Sequence, residues 1–134
     1  MISIVIPTLN EEKVIGETLS HLKSGLKSTD SEIIVSDGRS SDKTGVIARK
    51  YADRVVVYGG REKQTIAHSR NLGASAARGE YLVFMDADVV VPNPNKFFER
   101  ALRIFARDPK LVGLGVFVRV LPEVETWGDK FFSG

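Results

Sequence analysis

The amino-acid sequence predicts an α/β domain in which an open, mainly parallel sheet carries helices on both faces. Short apolar runs rich in β-branched residues alternate four times with segments whose apolar residues recur at helical spacing. The connections between these segments are short, and such alternation is typical of strands joined in parallel through helical crossovers. Acidic residues follow several of the apolar runs, so the strand ends are the first place to look for a functional site.

The first half of the chain contains two strand–helix units. Pro7 closes the first apolar run because proline cannot donate to a strand ladder, and Asn10 is the expected N-cap of the helix that follows. In the second unit, Ser40 or Ser41 is the expected cap. The predicted elements are strands over residues 2–6 and 32–36 and helices over residues 14–26 and 42–52.

The second half of the chain repeats this alternation. Small residues along one side of its first helix would let that helix lie close to a sheet, and Gly79 is expected to end it. The strand after it is apolar throughout, which predicts burial on both faces. A looser alternation near the end predicts a fifth strand. In chain order the predictions are strand 55–58, helix 63–78, strand 81–85, helix 97–105 and strand 111–121.

Length and composition narrow the functional classes. The 134 residues suffice for one domain with its own core. The formal net charge of +2, from 19 basic and 17 acidic side chains, provides no basic field, which disfavours nucleic acid as a partner. The chain has no cysteine, which excludes disulfides and thiolate metal sites. It enters a strand at once and has no apolar run of membrane-spanning length, so a cytoplasmic location is expected.

Asp86 and Asp88 interrupt the apolar run that contains the fourth strand. In extended backbone two such residues leave the same face with Cα atoms roughly 6.5 Å apart. Because buried carboxylates are costly without a partner, the pair predicts a compensating metal ion or basic side chains. Mg²⁺ and Mn²⁺ are often held by one or two carboxylates, with phosphate oxygens and water completing the shell. The alternative is that both are loop acids that happen to follow a strand.

The ends of the predicted strands carry the other candidate residues. Ligands of open parallel sheets bind at the carboxyl ends of the strands, near a switch in strand order. Glu11 suits a nucleotide site or the first turn of a helix, and Asp37 can accept hydrogen bonds from a base or ribose or cap its own turn. Arg70 is predicted to reach a phosphate or to pair with Glu80 or Asp37.

Four blocks stand in a fixed order between Ile4 and Asp88, at residues 4–11, 37–44, 69–73 and 77–81, and the last leads into the Asp-x-Asp strand. Together they resemble the N-terminal half of the family 2 glycosyltransferases, which have the GT-A fold with a Rossmann-like nucleotide-binding half. These inverting enzymes use nucleotide-sugar donors. The resemblance implies a UDP- or GDP-linked donor and a Mn²⁺ or Mg²⁺ cofactor. It implies that Pro7, Leu9, Glu11 and Asp37 border the nucleoside. It also implies that Asp86 and Asp88 hold the metal and the diphosphate.

The sequence also departs from the family pattern. Arg39 replaces a small serine beside the nucleotide, and Leu9 stands where an aromatic residue often stacks on the base. The family's catalytic acid lies in a second half, so the general base is expected outside this chain. Residues 1–121 are then the donor-binding domain, and residues 122–134 begin an acceptor-binding part. The acceptor is an unspecified sugar, lipid or protein; the resemblance leaves room for association with the inner face of the membrane and for homo-oligomers.

Two other functions fit parts of the same sequence. The strand around Asp86 also resembles the nucleophile strand of haloacid-dehalogenase-like phosphatases, in which Asp86 would be phosphorylated and Asp88 would act as acid and base. That family places its motif near the N-terminus, which ranks this alternative second. A chain that binds nucleotide without catalysis, as an assembly module, is the third.

Overall fold

A computed structural model describes residues 1–119, and its four strands form one parallel sheet in the order β3-β2-β1-β4. Helices lie on both faces, so the predicted fold class is confirmed. Among these residues no helix is long and apolar enough to cross a membrane. The elements in chain order are β1 (Ile2–Thr8), α1 (Ile15–Gly25), β2 (Ser31–Asp37), α2 (Thr44–Tyr51), β3 (Arg54–Val57), α3 (Ile66–Ala76), β4 (Tyr81–Phe84) and α4 (Pro94–Arg107).

Alternate residues of the central strands form the main core. Ile4 and Ile6 of β1 are fully buried on one face, in a cluster with Leu19 of α1, Ala48 of α2 and Phe98 of α4. Since successive side chains of a strand leave opposite faces, the residues between them face α3. Helix α3 approaches this second face closely, because a Cβ added to Gly73 would lie 2.3 Å from Cγ1 of Val5.

The register of the strands places β1 at the centre of the functional edge. Strand β1 pairs with β2 along its whole length, so that Thr8 lies beside Asp37. Its pairing with β4 stops earlier, at Val5 and Phe84. The predicted strand end at Pro7 is therefore wrong, since β1 continues to Thr8. The missing N–H of Pro7 costs little because it faces the side on which β4 has already ended.

Two predictions about strands are wrong, namely that the fourth strand is buried on both faces and that residues 111–119 form part of a fifth strand. Leu82 and Phe84 of β4 are 47% and 46% exposed, because α3 packs on β1 and β2 and no other described helix covers that face of β4. Residues 111–119 of the predicted fifth strand have no regular secondary structure and find no strand to pair with in the described part of the chain. Residues 120–121 of that strand, and the tail 122–134, lie outside the described residues.

Candidate functional site

Three loops follow strands β1, β2 and β4 and lie at one edge of the sheet, because the carboxyl ends of parallel strands share an edge. The loops cover residues 9–14, 38–43 and 85–93. They carry most of the site residues expected from the sequence, and α3 brings Arg70 to the same edge. Pro7 at this edge is half-buried, whereas Leu9 is 47% exposed.

Asp37 is the buried anchor of this edge. One oxygen of its carboxylate accepts hydrogen bonds from Oγ1 of Thr8 at 2.8 Å and from Oγ of Ser40 at 2.6 Å. The other accepts from the backbone N–H of Ser40 at 2.9 Å. These bonds confirm that Asp37 caps its own turn and tie the ends of β1 and β2 together. Its contact with a nucleoside stays a prediction.

Asn10 connects the first two loops and is not the N-cap of α1. Its backbone is left-handed, with φ of 53°, and its Oδ1 accepts from the backbone N–H of Ser41 at 2.9 Å. Its own N–H donates to Oγ of Ser40 at 2.8 Å. Helix α1 begins at Ile15 without a side-chain cap. The two serines expected to cap α2 are thus drawn toward the β1 loop, and Asp42 accepts the N–H of Thr44 instead.

Asp86 and Asp88 follow β4 in a turn, which corrects the expected extended geometry. The N–H of Val89 donates to the carbonyl of Asp86 at 3.2 Å, and buried Ala87 lies between the two acids. Oγ1 of Thr18 donates to the Ala87 carbonyl at 2.6 Å, which fixes this turn to α1. Both carboxylates are exposed, so the expected burial is wrong. Water therefore solvates both carboxylates, and one basic side chain lies beside them. The full compensating charge that buried carboxylates would require is not needed.

That basic neighbour is Arg70 of α3. Its Nη2 lies 3.5 Å from Oδ1 of Asp86, so the pairing expected with Glu80 or Asp37 is wrong. The ion pair is partly exposed, since the Arg70 side chain is 44% accessible and that of Asp86 60%. Nε of Arg70 is buried and has no hydrogen-bond partner among the described residues. Arg70 is therefore held beside the acids with unused donor capacity.

Negative charge accumulates around Glu11. Burial raises the pKa of its carboxyl group, and the carboxylates of Asp88, Asp42 and Asp86 raise it further. The electrostatic coupling indicates that the acids of all three loops act on one another. A divalent cation would relieve this repulsion.

The donor set fits a hard divalent cation. Asp86 and Asp88 offer exposed carboxylate oxygens, the ligands preferred by Mn²⁺ and Mg²⁺. Residues 1–119 contain no group of three or more histidine, cysteine or acidic side chains arranged to hold a metal. A shell built on these two acids would be completed by other oxygens, such as those of water or a diphosphate.

The opposite end of the edge is less acidic. Arg39, which has a left-handed φ of 62°, places its guanidinium 5.7 Å from the centre of the Tyr58 ring. This cation–π contact gives Arg39 a packing partner at the end of β3, although its side chain is otherwise exposed. Sequence reasoning missed this contact and the Asn10 bridge, because both depend on loops that meet only in the folded chain.

The family comparison agrees with this geometry. The sequence model of glycosyl transferase family 2 matches residues 3–132. A 4,4'-diaponeurosporenoate glycosyltransferase from Staphylococcus haemolyticus is 37% identical over 110 residues, which cover 79% of this chain and 28% of that protein. The fold and the matched residues thus point to the same family.

Two solved structures are similar over most of the chain. The mannosyltransferase PcManGT from Pyrobaculum calidifontis, in complex with GDP-Man and Mn²⁺, has a TM-score of 0.70 and 26% identity, covering 82% of this chain and 33% of its own. Glucosyl-3-phosphoglycerate synthase from Mycobacterium tuberculosis, in complex with Mn²⁺, UDP and glucosyl-3-phosphoglycerate, has a TM-score of 0.57 and 31% identity, with coverages of 70% and 36%.

The present chain spans 31% and 36% of the length of two curated relatives and 33% of the PcManGT chain, and only 14% of a longer relative. Within that span the match runs from the first strand through the Asp-x-Asp turn and beyond α4. The chain belongs to glycosyl transferase family 2.

Proposed function

We propose that this chain is the donor-binding part of a metal-dependent glycosyltransferase that takes a UDP- or GDP-linked sugar and transfers it with inversion. One observation carries the proposal: Glu11, Asp86 and Asp88 gather with Arg70 at the carboxyl edge of the sheet. Such an edge suits a ligand that brings both phosphate oxygens and a metal ion. The Mn²⁺ complexes of the two similar proteins, one with GDP-Man and one with UDP, support this choice.

Each candidate residue has a role in this proposal. Asp86 and Asp88 would hold Mn²⁺ or Mg²⁺, and the bound ion would neutralise charge on the leaving diphosphate. Arg70 pairs with Asp86 in the ligand-free chain and has an unused donor, so it is placed to bind a phosphate oxygen.

The nucleoside would lie at the other end of the edge. Pro7, Leu9, Glu11 and Asp37 would border it, at the ends of β1 and β2. Asp37 retains acceptor capacity on the oxygen that takes only the Ser40 N–H. Leu9 presents an exposed apolar side chain against which a base could pack.

The acceptor side falls outside the described residues in this proposal. Residues 1–121 would be the donor domain, and residues 122–134 would lead into the acceptor-binding part. Inverting transfer needs a general base on the face opposite the leaving diphosphate. Of the described acids after Asp88, Glu99 pairs with Arg103 at 2.7 Å, and Asp108 accepts the N–H of Lys110. Family membership argues against the phosphatase alternative.

Calorimetry with UDP and GDP, in Mn²⁺ and in chelator, tests the donor and metal together. We expect the nucleotide to bind at least tenfold more tightly with Mn²⁺, because diphosphate and the two acids complete one coordination shell. Asp86→Asn and Asp88→Asn should each remove this difference. Asp30→Asn is the matched control, since Asp30 lies at the opposite end of the strands beside the N-terminus. Equal affinity in chelator would exclude the metal role, and absence of nucleotide binding would exclude the donor site.

A further inference from the structure

Gln64 carries two buried polar atoms with no partner. Its amide nitrogen and its amide oxygen are both enclosed, and neither makes a hydrogen bond to any described residue. Buried amide groups are normally satisfied, and an orphaned pair costs stability. Gln64 directly precedes α3, since the next residue, Thr65, is the N-cap of that helix and accepts the N–H of His68 at 3.2 Å.

The unpaired amide faces the nucleoside end of the functional edge. Its Oε1 lies 3.0 Å from the position that a Cβ on Gly38 would occupy, and Cδ1 of Leu9 lies 3.7 Å from the same position. Gly38 directly follows Asp37, and its N–H donates to the Thr8 carbonyl at 2.9 Å. The amide therefore stands between the loop after β3 and the ends of β1 and β2. A side chain on Gly38 would crowd the amide, whose oxygen would have to shift by a few tenths of an ångström.

A ligand group could reach this amide with a small movement. Leu9, whose Cδ1 lies 3.7 Å from the same position beside Gly38, is 47% exposed and belongs to a loop whose backbone is fixed by the Asn10 bridge. A rotation of this exposed side chain would widen the approach beside Gly38 and leave the strands in place. The same leucine would then lie along the face of a ring that enters beside Gly38.

We propose that Gln64 recognises the edge of the nucleobase. This inference rests on the proposed nucleotide-sugar function and extends it to a residue that reads the base. A primary amide offers one acceptor and two donor hydrogens side by side. It matches a lactam edge, in which a ring N–H adjoins a carbonyl, and uracil and guanine share that edge. The orphaned donor and acceptor of Gln64 would both be satisfied by one base.

A chemical double-mutant cycle tests the contact. Binding of UDP and of 3-methyluridine 5′-diphosphate, in which the ring N–H is replaced, is measured in Mn²⁺ for the full chain and for Gln64→Leu. GDP and its 1-methyl derivative take their place if the chain binds GDP more tightly. We expect the unmodified nucleotide to lose at least tenfold in affinity on Gln64→Leu. The methylated nucleotide should bind both proteins within about threefold of each other.

The same variants separate this contact from a structural role. Because Gln64→Leu removes two unpaired polar atoms, its melting temperature should equal or exceed that of the parent. Glu62→Leu, an exposed change two residues away, should leave both nucleotide affinities unchanged. Losses on Gln64→Leu that are equal for the methylated and unmodified nucleotides would overturn the proposal, as would unchanged affinity for both. If the parent binds neither nucleotide, the proposed function itself fails.

Discussion

At the scale of single residues, Asp37 holds the ends of two strands together and is also proposed to border the nucleoside. Its carboxylate is 4% exposed and accepts three hydrogen bonds from Thr8 and Ser40. These bonds hold the loops that would border the nucleoside. A substitution at Asp37 therefore changes stability through the bonds that it loses and affinity through the shape of the loops.

Asp37→Ala should lower the free energy of unfolding by about 1–3 kcal/mol, because the hydroxyl of Thr8 and the N–H of Ser40 lose their buried acceptor. Nucleotide affinity should fall roughly tenfold or more, while the dependence on Mn²⁺ persists. Asp37→Asn keeps one acceptor oxygen and should lose less stability. Urea denaturation and calorimetry measure the two effects. If Asp37→Ala is destabilised but binds UDP as tightly as the parent, the carboxylate only caps the turn.

The sequence could predict neither the contacts of Asn10 nor the unpaired burial of the Gln64 amide. The bond from Ser41 to Asn10 joins residues 31 positions apart, so neither partner is visible from its neighbours in sequence. Asn10 was expected to cap α1 because it precedes a helix, yet its left-handed backbone turns its amide toward the other loop. Side-chain identity predicts which bonds a residue can make, whereas the fold decides where it makes them.

At the scale of elements, apolar periodicity predicted the order of strands and helices. It did not predict which faces of the strands have helices packed on them. The runs that became β1 and β2 are buried because helices pack on both their faces. Strand β4 has an equally apolar sequence, yet α3 does not extend over it. The alternation at residues 111–119 likewise produced no strand, because pattern alone supplies no hydrogen-bonding neighbour. The convergence of Asp37, Asp86 and Asp88 was predictable, since it follows from parallel topology.

A polar cluster at the other end of the sheet holds several elements together. Oε1 of Glu32 accepts from Oγ of Ser3 at 2.7 Å and from the N–H of Arg78 at 2.6 Å, and Arg54 lies 3.8 Å from its second oxygen. Gly79 does not end α3 in a left-handed turn as expected; its N–H donates to Oγ of Ser3 at 2.8 Å. The cluster thus links β1, β2 and β3 to the connection between α3 and β4.

This cluster should make stability depend on pH. Burial by itself would raise the pKa of Glu32, but the hydrogen bonds from Ser3 and Arg78 and the charges of Arg54 and Arg78 lower it below its ordinary value of 4.5. Because the folded pKa is depressed, the stabilisation is present above the unfolded pKa and is lost as pH falls through the folded one.

Glu32→Gln should therefore destabilise the chain by about 1–3 kcal/mol near neutral pH. The difference from the parent should shrink as the pH falls below about 4.5. Urea denaturation at a series of pH values between roughly 3 and 7 measures it. Glu17→Gln, an exposed change on α1, should show no such trend. A Glu32→Gln difference that stays constant with pH would mean that packing, not the charge of Glu32, stabilises the cluster.

At the scale of the whole molecule, charge is divided unevenly. The chain carries a formal net charge of +2, but the functional edge gathers Glu11, Asp42, Asp86 and Asp88. An anionic nucleotide would be repelled by this edge alone. A bound cation would resolve the conflict, because Asp86 and Asp88 would hold it where its charge favours the diphosphate. Metal and nucleotide binding should consequently be coupled across the edge.

Transfer of the sugar by this chain alone would require a general base within it. This chain spans 31% and 33% of the length of two proteins that it matches, and of its described acids after Asp88, Glu99 pairs with Arg103 and Asp108 accepts the N–H of Lys110. We therefore expect it to bind a nucleotide sugar but to transfer the sugar slowly, because no base stands beside an acceptor hydroxyl.

The test measures donor affinity by calorimetry and release of nucleoside diphosphate with a panel of sugar and lipid acceptors. We expect the parent to bind the donor in the presence of Mn²⁺. We expect it to release nucleoside diphosphate no faster than Asp86→Asn, which lacks one of the two proposed metal ligands. Steady transfer by the parent that is lost on changing Glu123, Glu125 or Asp129, which lie outside the described residues, would contradict the prediction. It would place the base in residues 122–134 and extend the catalytic part of the enzyme into this segment.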